Sequence, residues 1–428
     1  MSTTAVIDTA TPQDTVLVRH WKNTWIFGTL SVISLLVLAL NAPASRVVLG
    51  LSTKDDVIQL PALNLSTPTT GWAVTAVLIA VTLWCAKLTF SGKKTPLYLS
   101  AIFWFSFIFG VLIWAIGSAR MTEISLITIL TGAVALSVPM IFGSMGGLLC
   151  ERSGIINIAI EGQLLFGAFS AVLVGSMTGN PWLGLIAAMI GGMLVSFLLA
   201  TFSIKYLVDQ TIVGVVVNVL VSGLTGFLYS RVLQQDAAHL NSAPRLPSFE
   251  IPVLSQIPVI GPVLFNQSVI VYLMYIVVGT IWFSLNKTRW GLRTRAVGEH
   301  PQAADTLGVN VNRLRFSNVM IAGAVAGMGG AFFTLVAVSS FNADMTAGQG
   351  YIALAALIFG RWKPLGALSA SLLFGFSLQM QFILSGLGTD IPTELLAMLP
   401  YVVTILAVAG LVGRSRGPAA AGKAYTKG

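Results

Sequence analysis

The chain has 428 residues, of which 55% are hydrophobic and only 9% charged, with a formal net charge of +9. Soluble domains carry about 25% charged residues, so this composition excludes an ordinary soluble protein and predicts many bilayer-crossing segments. The positive balance does not point to nucleic acid. Most of the basic residues lie in short loops beside apolar runs, and no basic patch with interleaved aromatics occurs.

Residues 1–23 read as a polar tail. Candidate spans follow at about 24–42, 71–90, 97–117, 124–147, 155–177, 182–204, 211–231, 267–286, 317–338, 349–360, 364–386 and 395–412. The segment 24–42 is long enough to span, so it is read as a first helix and not a cleaved signal. The segment 349–360 is too short to cross alone and reads as a half-helix or re-entrant piece, which protein must surround. The fold class expected is an all-α polytopic membrane protein with about 10–12 transmembrane helices.

Lys87, Lys93 and Lys94 mark one loop as inside, and Lys287, Arg289, Arg293, Arg295, Arg313 and Arg315 mark another. Arg19 and Lys22 put the N-terminus inside, and Arg414, Arg416, Lys423 and Lys427 do the same for the C-terminus. An even number of crossings satisfies all four marks. Two outside segments, 43–70 with Asp55 and Asp56 and 232–266 with its prolines, are read either as connectors or as a surface for an extracytoplasmic partner. A faint internal echo links EGQLLFG at 161–167 with AGQGYIALAALIFG at 347–360, entered by spans of opposite direction, as in transporters built from inverted repeats.

Glu161 interrupts the apolar run 155–175, where a charge costs roughly 2.5–3.5 kcal/mol on insertion scales. Two readings stay open. In one, Glu161 pairs with a polar group of a neighbouring span, such as Asn218, and locks packing. In the other, Asn157, Glu161 and Gln163 line a path for a polar solute. Phe332, Phe333 and Phe341 would be able to stack a base, although membrane aromatics mostly pack. Arg361 and Lys363, before Pro364, read as a turn between two short spans. In the polar loop 287–316, PQAADTL suits a short helix beginning at Pro301, broken by the Gly308-Val309 turn and Asn310. Cys85 and Cys150 fall in or beside spans and His20, His239 and His300 are scattered, so no metal spacing or catalytic constellation is present in the sequence pattern.

Three motifs carry a resemblance. NIAIEGQLLFGA at 157–168, AVGEHPQAADTLGVNV at 296–311 and GYIALAALIFGRWKPLGAL at 350–368 resemble, in order, the signatures of bacterial ABC importer permeases for simple sugars, nucleosides and branched-chain amino acids. MLPYVVTILAVAGLVGRSRGPAAAGKAY at 398–425 and the E-R-S-G-I-I-N run at 151–157 look like the nucleoside-type members. Ala159 and His300 depart from the usual Gly and Asn; the histidine would be able to make the loop pH-sensitive. The likeness covers roughly residues 124–425, leaving the first three spans as an added block. The division expected is 1–23 tail, 24–120 extra helices, 121–413 permease core and 414–428 tail.

The resemblance implies a transport subunit in a bacterial plasma membrane, with both termini cytoplasmic and without its own ATPase. No G-x-x-x-x-G-K-[ST] occurs, since Ser91-Gly92-Lys93-Lys94-Thr95 lacks the upstream glycine. No cofactor is implied, because ATP would be bound by a partner. The partners implied are an ABC ATPase subunit, a second homologous permease and an extracytoplasmic solute-binding lipoprotein, with membrane lipid around them. The substrate would be a nucleoside, purine preferred, or a ribose-like sugar. An ion-coupled secondary transporter is the other class considered, and only Glu161 offers it an intramembrane carboxylate. Gly298, Glu299, His300, Pro301, Ala303, Ala304, Asp305 and Gly308 would form the loop that couples to the motor, and Asn157, Glu161, Gln163, Asn218 and Phe332 the substrate path.

Overall fold

The computed structural model describes residues 21–52, 59–119, 122–388, 392–398, 401 and 417–426. The expected tail at 1–20, Asp55 and Asp56, most of the span expected at 395–412, and Arg414, Arg416 and Lys427 lie outside the described residues. The chain divides into two compact units, Met1–Val47 with Asn64–Thr122 and Val48–Leu63 with Glu123–Gly428.

The first unit holds α1 (Lys22–Ser34, continued by one wide turn, Leu35–Leu40), α2 (Thr67–Phe90) and α3 (Leu97–Gly117). Lipid is as apolar as leucine, so burial alone does little to join such helices, and interhelical hydrogen bonds help instead. Three hydroxyl pairs tie α1 to α2: Thr24 with Thr89 at 2.9 Å, Ser31 with Thr82 at 2.9 Å and Ser34 with Thr75 at 2.8 Å. Phe27 stacks on Phe103 of α3 with ring centroids 4.0 Å apart.

The second unit contains α4 (Leu126–Arg152), α5 (Ile160–Thr178), α6 (Pro181–Ala200) and α7 (Gln210–Leu228). After them come the short α8 (Ala237–Leu240) and α9 (Ile260–Phe265), then α10 (Val269–Lys287). The polar loop forms α11 (Arg289–Glu299) and α12 (Pro301–Thr306), and is followed by α13 (Val311–Phe332), α14 (Gln349–Phe359), α15 (Pro364–Gly386) and α16 (Thr393–Ala397). Local chemistry sets many ends. Asp209 caps α7 by accepting from Thr211 N–H at 2.9 Å and Ile212 N–H at 3.1 Å. Asn180 caps α6 with Pro181 in its first turn, and Asn310 caps α13. Pro262 is accommodated inside α9 because it falls in the first turn, where no intrahelical N–H bond is required. The proline-bearing segment 232–266 thus still forms the short helix α9.

Ten helices among the described residues are long and apolar enough to cross a membrane, and Gln349–Phe359 is a shorter apolar one. α13 is at the centre of the second unit. It crosses α5 and α6 at backbone contact: a Cβ on Gly192 of α6 would strike Gly323 of α13, and one on Gly330 would strike Leu164 of α5. α4 packs along α13, α14 and α15.

The fifth span begins later than its apolar pattern suggests. The stretch IINIAI is apolar but for Asn157, yet α5 starts at Ile160, and Gly154 turns the chain at φ +93°. Asn157 therefore precedes the helix, and Glu161 sits in its first turn.

Candidate functional site

The site is built where the first turn of α5 meets the first turn of α14. The Glu161 carboxylate accepts three hydrogen bonds. Oε1 takes Thr346 Oγ1–H at 2.7 Å and Gly348 N–H at 2.9 Å, and Oε2 takes Gly350 N–H at 2.6 Å. The first N–H groups of a helix have no intrahelical partner and carry the positive end of its dipole, so an anion there is stabilised. Glu161 is thus the external cap of α14. Gly350 must be glycine, because a Cβ there would lie 2.5 Å from Glu161 Cα. The partner of Glu161 is this backbone terminus, not Asn218 as one sequence reading had it.

Asn218 of α7 serves the same junction from the other side. Its Oδ1 accepts from Gly162 N–H at 2.8 Å, and its Nδ2 donates to Ile158 O at 2.8 Å and to the Tyr351 hydroxyl at 3.2 Å. A cavity of about 560 Å³ opens beside these groups, lined by Glu161, Asn218, Ser222, Asp344 and Tyr351 among others. Ser222 donates to Asp344 Oδ1 at 2.6 Å. Asp344 is exposed, with φ +52°, in the irregular stretch between α13 and α14. The volume is in the range of small-molecule sites, and the wall combines hydroxyl, amide and carboxylate groups.

The sequence-predicted residues separate. Glu161 and Asn218 come together at the cavity. Asn157 and Gln163 are fully buried and bonded to each other, Asn157 Nδ2 to Gln163 Oε1 at 3.1 Å, with Gln163 Nε2 also donating to Ser196 at 2.8 Å. They do not line the cavity. Phe332 is 6% exposed and Phe341 is fully buried, its ring edge-on to Phe169 and Tyr229, so these aromatics pack in the core. The aromatic that reaches the cavity is Tyr351, which stood unremarked inside the GYIALAAL motif; Asp344 was legible as a lone acid between two apolar runs.

At the end of the unit bearing the basic loop, Glu151, Arg152 and Trp362 form a knot. The Trp362 indole donates to Glu151 Oε2, and Arg152 Nε donates to Trp362 O at 2.9 Å. Trp362 and Arg361 both sit at positive φ in the turn between α14 and α15, a conformation that this knot holds. α12 begins at Pro301 and ends before Gly308, whose φ is +82°. From the end of α11 through α12, Glu299, His300 and Ala303 are exposed, Asp305 is half-buried, and Gly298, Pro301 and Ala304 are buried. Ala304 therefore faces the protein and is unavailable to a partner, unlike Ala303. Leu307 stands out at 85% exposure.

Ten helices among the described residues that are long and apolar enough to span, with a carboxylate held between one of them and the shorter α14, define a multi-pass membrane protein with a solute-sized opening. The family model described as branched-chain amino acid transport system / permease component matches residues 128–408, and the chain belongs to that family. The chain is 41% identical over 311 residues to the guanosine ABC transporter permease protein NupQ of Bacillus subtilis, covering 70% of this chain and 97% of that protein. It is 40% identical to the nucleoside ABC transporter permease protein NupC of Lactococcus lactis, covering 68% and 94%. A putative glucose ABC transporter permease protein, TsgC13 of Haloferax volcanii, is 32% identical over 65% of this chain and 85% of its own length. No solved structure matches the chain.

Proposed function

We propose that this chain is the membrane-spanning subunit of an ATP-driven importer that carries nucleosides, purine nucleosides foremost, across a bacterial plasma membrane. The observation that carries the reading is the 40–41% identity to two permeases named for guanosine or nucleosides, over 94–97% of their lengths. The cavity supports it. Ribose hydroxyls and base edges are donors and acceptors, and Asp344, Ser222, Asn218 and Tyr351 offer complementary groups beside one aromatic ring.

In this reading a partner ATPase hydrolyses ATP and presses on α12, which carries the motion to α13. A second homologous permease completes the pathway, and an extracytoplasmic solute-binding lipoprotein delivers the solute. The basic end bearing α11 and α12 faces the cytoplasm, as do both chain termini. A ribose-like sugar is the second substrate reading, favoured by the likeness to the glucose permease. An ion-coupled carrier is disfavoured, because Glu161 already holds three hydrogen bonds.

The test is uptake of radiolabelled guanosine, adenosine, uridine and ribose in cells lacking the chain, before and after its restoration. Restored guanosine or adenosine uptake that stops on ATP depletion is expected. Restored ribose uptake alone would move the chain to the sugar reading. Uptake that collapses with an uncoupler while ATP is held constant would replace the ATP-driven mechanism with ion coupling.

A further inference from the structure

The last described stretch of the chain, 417–426, returns to α11 and to α12, the helix that the transport reading uses for coupling. Ala420 N–H donates to Gly298 O at 2.9 Å, and Ala419 N–H to Glu299 Oε2 at 3.2 Å, both at the C-terminal end of α11. Arg315, in the second turn of α13, is 2% exposed. Its Nε donates to Ser153 O at 3.1 Å, at the end of α4, and its Nη1 to Lys423 O at 3.1 Å. Gly154 makes room for this guanidinium: a Cβ there would lie 2.6 Å from Arg315 Nη2 and 3.3 Å from Ala420 O. Tyr425 is buried in one apolar cluster with Val297 of α11, Ala304 of α12 and Val311 of α13. Asp305 stands beside its phenol, and burial together with that carboxylate raises the phenol above the usual tyrosine range.

α12 cannot hold its own position. It is six residues long, too short to be a stable helix alone, and lies between the break at His300 and the left-handed Gly308. Of its residues only Pro301 and Ala304 are buried, and Ala304 is seated in the cluster that Tyr425 closes. A push on a helix so loosely attached would be absorbed at Gly308 unless something bound it to the spans.

We propose that residues 417–426 are a positioning strap that fastens α11 and α12 to α13 and to the end of α4, with Tyr425 and Arg315 as its two anchors, so that movement of α12 is delivered to the spanning helices. The coupling role rests on the importer reading; the fastening does not.

The experiment has two arms, each comparing wild type with a chain ending at Gly417, Tyr425→Ala and Tyr425→Phe. In the first, hydrogen exchange is measured on the purified full chain and variants in detergent, with amides of α5, α6 and α13 as the internal reference for intact folding. Amides of 298–309 are expected to exchange roughly tenfold faster or more in the truncated chain and in Tyr425→Ala, and near wild type in Tyr425→Phe, which keeps the ring. Unchanged exchange at 298–309 would overturn the strap. In the second arm, uptake per ATP hydrolysed is measured in the assembled transporter. A loss of about fivefold or more with ATP hydrolysis retained is expected for the truncated chain and Tyr425→Ala. Faster exchange with an unchanged ratio would overturn the transmission of movement. If the wild type itself shows no ATP-linked uptake, the importer reading fails, and the first arm still decides whether the strap exists.

Discussion

A carboxylate in a membrane helix is tolerated when something equally polar meets it, and at Glu161 that something is the open end of α14. Two backbone N–H groups and one hydroxyl converge on it within 2.6–2.9 Å. Glu161→Gln replaces one acceptor oxygen with an NH₂ that faces an N–H donor, so the junction loses at least one charge-assisted hydrogen bond and gains a repulsive contact. A loss of about 1.5–3 kcal/mol is expected, read as a lower thermal unfolding midpoint of the detergent-solubilised chain. A variant as stable as wild type but unable to transport would instead give Glu161 a direct part in the path. The two neighbouring polar sets are expected to part company in the same assays. Gln163→Leu strands the buried Asn157 amide and Ser196 hydroxyl, and should cost about 1–3 kcal/mol in stability. Asp344→Asn alters an exposed wall of the cavity, and should leave the midpoint within about 0.5 kcal/mol of wild type while raising the KM for uptake. A lowered midpoint for Asp344→Asn with unchanged KM would make it a structural residue.

Among the elements, α12 was the most legible. Pro301 fits the first position of a helix and the Gly308-Val309 turn its break, and the structure places α12 at Pro301–Thr306; that the next helix begins at Val311 under an Asn310 cap, six residues before the span expected at 317, was not read. The start of α5 was not legible, because hydrophobic runs carry no mark of the φ at Gly154, and residues 155–160, apolar but for Asn157, read as part of the same run. Which face of α12 is free was not legible either. Ala303 and Ala304 are equivalent as residue types, and only packing against Val297, Val311 and Tyr425 turns Ala304 inward. This difference makes a clean pair of probes for the coupling reading. Ala303→Trp adds a bulky ring to an exposed surface and should abolish capture of the ATPase subunit, with thermal stability within about 0.5 kcal/mol of wild type. Ala304→Trp overpacks a buried site and should cost about 1–3 kcal/mol by itself. Co-purification of the ATPase with Ala303→Trp at wild-type yield would remove α12 from the docking surface.

At the scale of the molecule, the sequence announced a polytopic helical protein through composition alone, and its spans through runs of apolar residues. What it did not announce is which runs touch. Glu161 and Gly348 are 187 residues apart, and neither the charge nor the glycine names the other. The segments EGQLLFG and AGQGYIALAALIFG meet through Glu161 and the N–H groups of Gly348 and Gly350, a contact that their likeness did not announce.

The first three helices raise a different question. The family model begins at residue 128, and relatives matched over 94–97% of their own length cover only 68–70% of this chain. The second unit has its own core, built on α4, α5, α6 and α13, and the first has its own hydroxyl ladder and stacked Phe27 and Phe103. A chain beginning at residue 122 gives up Val48–Leu63 of the second unit but keeps all of its helices, and is expected to insert, to elute as a single symmetric species in detergent, and to keep a thermal midpoint within a few degrees of the full chain. Orientation is the point at risk. Removing three crossings makes the new N-terminus start on the opposite side, and the cations of α10 to α13, Lys287 through Arg315, must then set the topology. Accessibility labelling of a cysteine placed at Gln302 would read the outcome. Labelling from the same side in both chains would show that the basic loop orients the core unaided. Labelling from the opposite side, or loss of insertion, would show that the extra helices are there to orient it.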